Sequence, residues 1–99
     1  MRSCIDRLMA IPHPTATMVR EEAEFITNRL ETCRIEGLIS NDAFLDAGVI
    51  QGALEMIANH LDMGVNSGEI RELFDQQLSR AKRLEEKHKG LDSAVEVER

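Results

Sequence analysis

Glu85 and His88 stand three residues apart, so a helix would place a carboxylate and an imidazole on one face. A Glu-x-x-His pair of this kind is half of the donor set that a carboxylate-bridged metal site in a helical bundle draws from two helices. The other half needs carboxylates from further helices and a second Glu-x-x-His, which the chain lacks. Solvated charge is the favoured reading of Glu85 and His88, with metal binding through them kept as an alternative.

His60, beside Asn59 and Asp62, could titrate or bind a metal, but a single His near a helix C-terminus reads first as a partner of the helix dipole. Cys33 continues an apolar stripe and reads as a small buried hydrophobe, whereas Cys4 falls in a segment expected to be mobile. There is no Gly-rich phosphate loop, no Ser/His/Asp arrangement and no Cys-x-x-Cys. The expectation is therefore a chain without catalytic residues, resident metal or cofactor.

Ninety-nine residues fit one domain. With three Phe and no Tyr or Trp, the core must come from Leu, Ile, Val, Met and Ala, which favours helices over strands. Two cysteines make no disulfide framework, "MRSCIDRLMAIPHP" has no signal-peptide pattern, and no apolar run approaches a membrane span. The chain is read as cytoplasmic, soluble and without a membrane partner.

Pro12 and Pro14 separate residues 1 to 14 as a loosely docked arm or helical turn. Three helices follow, at about 17 to 36, 41 to 63 and 67 to 89. The first starts behind Thr15 or Thr17, carries a stripe of Val19, Ala23, Ile26, Leu30 and Cys33, and stops at Gly37. The second has Ser40 as N-cap with Ile39 and Phe44 as a hydrophobic staple, and stops at Gly64. The third starts at Asn66, with Val65 and Ile70 as its staple, and ends at Gly90, leaving residues 91 to 99 as a flexible acidic tail. Connections of about four residues make sequence neighbours antiparallel, so residues 15 to 90 are expected to form an all-α, up-down-up three-helix bundle.

The net charge of -6 comes from the middle of the chain, where residues 35 to 70 contain Glu36, Asp42, Asp46, Glu55, Asp62 and Glu69 and no Lys or Arg. Nucleic-acid binding is disfavoured there. The basic run "RAKRLEEKHK" at 80 to 89 lacks stacking aromatics and follows the order that the helix dipole favours.

The middle helix is unusual. Ala47, Ile50, Leu54, Ile57 and Leu61 fall on one face, with Leu45, Val49, Ala53, Met56 and Met63 beside them, covering roughly 200° of arc. Its neighbours are expected to cover that arc. The remainder carries Gln51, Glu55, Asn59 and Asp62, with Gly48 and Gly52 as a G-x-x-x-G pair that would let another backbone approach. Gly48, Gln51, Gly52, Glu55, Asn59 and Asp62 are the candidate interaction residues, and a homodimer is the simplest arrangement.

The expected function is a non-catalytic protein-protein interaction module: an adaptor, assembly factor, chaperone or inhibitor with another protein as partner. A sharper alternative is an acidic inhibitor whose Asp42, Asp46, Glu55 and Asp62 occupy a nucleic-acid-binding site of another protein.

Overall fold

The computed structural model describes residues 1–96, which form five helices and no strand: α1 Arg2–Ala10, α2 Ala16–Ile35, α3 Asn41–Asp62, α4 Ser67–Lys87 and α5 Leu91–Glu96. Each long helix starts where a short polar side chain accepts a free backbone N–H. Thr15 Oγ1 accepts from Met18, Ser40 Oγ from Ala43 and Asn66 Oδ1 from Glu69.

Gly37 and Gly64 end α2 and α3 at φ 72° and 79°. In each case two crossed backbone bonds close the last turn: Leu38 to Cys33 with Gly37 to Arg34, and Val65 to His60 with Gly64 to Leu61. No atom stands within 4 Å of where a Cβ would be at Gly37, so the requirement is conformational. Gly37→Ala is expected to cost about 1–2 kcal/mol, the penalty for left-handed backbone, read as a lower urea midpoint at unchanged slope.

Side chains show how the long helices lie. Arg20 near the start of α2 reaches Asp62 at the end of α3 (2.6 Å), and Arg34 at the other end of α2 stacks over Phe44, 4.6 Å from the ring centre. Lys87 at the end of α4 meets Asp46 near the start of α3 (2.9 Å). Helix α3 therefore runs antiparallel to both α2 and α4.

Five helices replace the expected three, because α1 and α5 cover the side of α2 and α4 that α3 leaves open. Residues 1 to 14 are not a loose arm: Met1, Cys4, Ile5 and Leu8 are buried, at spacings that keep them on one helical face. Nor is the chain after Gly90 a frayed tail, since Leu91 and Val95 are buried. The last three tail residues, 97 to 99, lie outside the described residues.

A six-residue helix cannot hold itself in water, so α5 depends on caps from its neighbours. Both carboxylate oxygens of Glu85 on α4 accept backbone N–H groups at its start, from Gly90 (2.8 Å) and Asp92 (2.9 Å). Arg29 of α2 donates to the carbonyls of Ala94 (2.9 Å) and Val95 (3.1 Å) at its end.

Helix α1 is tied to α5 by charge. The Met1 ammonium contacts Asp92 (3.1 Å) and Glu96 (2.6 Å), Arg2 pairs with Asp92, and the Ser3 hydroxyl donates to Glu96. Burial acts to raise the Glu96 pKa, but the Met1 ammonium and Ser3 hydroxyl together hold it below its ordinary value.

A candidate docking face on helix α3

Helix α3 is apolar on two opposite sides. Ala43, Ala47, Ile50, Leu54, Ile57 and Ala58 are buried against the other helices. On the far side Leu45, Val49, Met56 and Met63 are exposed, by 59, 52, 41 and 70 %. At 100° per residue these four and Gly52 fall within about 60° of arc, opposite the core. They form one row along the helix.

This corrects the expectation that the neighbouring helices cover Leu45, Val49, Met56 and Met63. Asp62 turns toward α2 and Asp46 toward α4, so both neighbours sit on the inner half of α3 and neither reaches its back. Of that expected group, only Ala53 is half-buried.

The residues singled out from sequence are divided by the fold. Gly52 is exposed within the apolar row, while Gly48 and Gln51 line a shallow cleft against α2 with Thr27, Leu30, Glu31 and Phe44. Asn59 and Asp62 are both held by Arg20, at 2.9 and 2.6 Å, and Glu55 is half-buried. An added Cβ at Gly48 or Gly52 would meet nothing within 4 Å, so no close approach within the chain requires either glycine.

Much of the acidic character of α3 is answered by the chain's own cations. Asp46 Oδ2 accepts from His88 Nε2 and Lys87 Nζ, both at 2.9 Å, and Asp62 is paired with Arg20. The hydrogen bonds from His88 and then Lys87 pull the Asp46 pKa below its ordinary value, and Asp46 raises that of Lys87. Because the folded carboxylate binds its proton less readily than the unfolded one, its stabilising effect is complete above the ordinary carboxylate range. It is lost as pH falls through the lowered value. Urea midpoints measured below about pH 4 should therefore fall less steeply for Asp46→Asn than for the native chain.

Glu85 and His88 are not brought together as ligands: Glu85 caps α5, and His88 contacts Asp46 of α3. His60 Nδ1 faces the Met56 carbonyl at 2.8 Å. Among the described residues no group of three or more His, Cys, Asp or Glu is placed to hold a metal ion. In the basic run, Arg80 bonds Gln77, and Lys87 is committed to Asp46.

Cys4, expected to be exposed on a mobile arm, is buried in α1, and Cys33 is buried in α2. Burial pushes the Cys33 thiol up against the opposing pull of Arg29. Both are buried, unlike the accessible thiols that act as nucleophiles.

The row on α3 carries a signal that sequence reasoning passed over. Positions 45, 49, 52, 56, 59 and 63 are spaced 4, 3, 4, 3 and 4, the 3.5-residue period of a helix seam, running behind the core face. Ile35 and Leu38, at 78 and 57 % exposure, add apolar surface at the turn between α2 and α3. Among the described residues, no helix is long and apolar enough to cross a membrane. No family model, curated protein or solved structure matches this chain.

Proposed function

We propose that this protein is a non-catalytic interaction module of the cytoplasm, in which α2, α3 and α4 form an up-down-up frame braced by α1 and α5. It docks protein on the outer face of α3, and homodimer formation is the simplest form of that docking. The observation that carries this reading is the exposed row of Leu45, Val49, Met56 and Met63, four large apolar side chains aligned on the solvent side of one helix. Single exposed apolar residues are ordinary on protein surfaces; a contiguous row marks a contact. Covering each of them would yield roughly 1 kcal/mol, given their partial exposure.

Gly52 lies within the row and Gly48 at its edge. An internal glycine costs about 1 kcal/mol relative to Ala, and a second backbone approaching from outside would offset that cost. The free thiols of Cys4 and Cys33 suit a reducing compartment. Pairing of Asp46 and Asp62 within the chain favours an apolar docking face over an acidic one that occupies a nucleic-acid site.

The reading is tested by a photo-cross-linking residue placed at position 56, in the row, or at position 82, an exposed lysine on α4. In cells that produce the protein, cross-linked species should form from position 56 and not from position 82. A chain that stays uncross-linked from position 56 would overturn the reading.

A further inference from the structure

We infer that the occupant of the α3 face is a second copy of this chain, packed so that the two α3 helices run parallel along a two-fold axis. The inference rests on the docking reading above and adds its partner and geometry. Leu45, Val49, Gly52, Met56, Asn59 and Met63 occupy alternating seam positions of a 3.5-residue repeat, the pattern by which two parallel helices lay like residues against each other. Gly52, near the middle, lets the two backbones come close.

The seam alone is too small. From residue 45 to residue 63 it spans about 27 Å, and with a width near 10 Å it covers about 300 Å². A stable interface takes about 800 Å² from each partner, so the flanks of α2 and α4 must also meet. Their charge then selects the arrangement.

The flank along α2 is acidic at mid-length. Arg20 marks this side of α2 through its bond to Asp62, and Glu24 and Glu31 follow it at helical spacings of 4 and 11; Glu55 of α3 lies at the same edge. Glu31 lines the cleft with Gly48, which fixes its level along α3. The flank along the second half of α4 is basic: Lys87 stands on Asp46, and Arg83 and Arg80 precede it by one and two turns on the same side. Because α4 runs antiparallel to α3, Arg83 falls near the level of Ile50 and Arg80 near that of Ala53.

A two-fold axis parallel to α3 lays the α2 flank of each copy on the α4 flank of the other, level by level. Glu31 then faces Arg83, and Glu24 and Glu55 face Arg80. An axis perpendicular to α3 would set Glu24 and Glu55 against their own counterparts, and Arg80 against its own. Only the parallel arrangement makes the mid-length charges complementary.

The experiment combines solution mass by light scattering with single-cysteine cross-linking on the full chain. The native protein should have twice the 11.2 kDa chain mass, and Met56→Asp should return it to one chain mass with its helicity intact. Val49→Cys and Met56→Cys should each form a disulfide-linked dimer with itself under mild oxidation, while the native chain, whose two cysteines are buried, should not. In an antiparallel pairing centred on Gly52, Val49 would face Met56, and like residues would stand about 10 Å apart along the axis. That exceeds the roughly 7 Å Cα separation a disulfide can span, so only a mixture of the two variants would cross-link.

A native chain of single mass, or cross-linking confined to the mixture, overturns the inference. If the purified chain is monomeric while position 56 still cross-links to a heavier protein in cells, the second copy is excluded and the docking reading survives. If position 56 cross-links to nothing, both fail.

Discussion

Replacing Phe74 by alanine is expected to lower the unfolding free energy by about 3–5 kcal/mol, the range for truncating a buried aromatic. Phe74 is the largest fully buried side chain, 2 % exposed on the inner face of α4, at the foot of a groove lined by Leu8, Met9 and Ile11. Its loss removes packing between α4 and the short helix α1. A domain of this size has only about 5–15 kcal/mol in total, so the variant should unfold at a much lower urea concentration. Asp75→Ala, at the exposed next position, should change stability by less than about 0.5 kcal/mol. Equal midpoints for Phe74→Ala and Asp75→Ala, followed by circular dichroism, would show that the groove between α1 and α4 is not a packed part of the core.

Arg29→Met should cost about 3 kcal/mol and release α5. Arg29 is 9 % exposed, and its guanidinium donates to the carbonyls of Ala94 and Val95 and approaches Cys33 Sγ at 3.6 Å. Hydrogen bonds from a charged donor contribute about 1.5–3 kcal/mol each, and the thioether replacement would leave two α5 carbonyls without these donors. Met retains much of the apolar stem, so the measurement reports the polar head rather than a cavity.

Two local signals separate loss of α5 from general destabilisation. Amide exchange should accelerate in residues 91 to 96 ahead of α3, and Cys33, which α5 covers through the Ala94 carbonyl (3.4 Å), should become reactive to an alkylating reagent in the native state. Unchanged α5 exchange in the variant would mean that Leu91 and Val95 hold the helix without Arg29.

Each long helix was legible because its determinants are neighbours in the chain. Thr15, Ser40 and Asn66 act on amides three residues ahead, and Gly37 and Gly64 close the turn just completed. Such contacts depend on local backbone geometry alone, which is why the starts and stops of α2, α3 and α4 could be read without knowing what packs on them.

The short helices and the open face of α3 were not legible in this way. Helix α5 has too few residues to stand by itself, and its caps come from Glu85 and from Arg29, 65 residues distant from Ala94. Helix α1 is docked by Ile5 and Leu8 and tied to α5 through Asp92 and Glu96, at the far end of the chain. For α3, the sequence determined that two faces are apolar. Only the tertiary structure decided that Ala47, Ile50, Leu54 and Ile57 are enclosed while Leu45, Val49, Met56 and Met63 meet solvent. Periodicity records which side chains share a face, but which face is covered depends on where the other helices lie, and the partners that place them are distant in sequence.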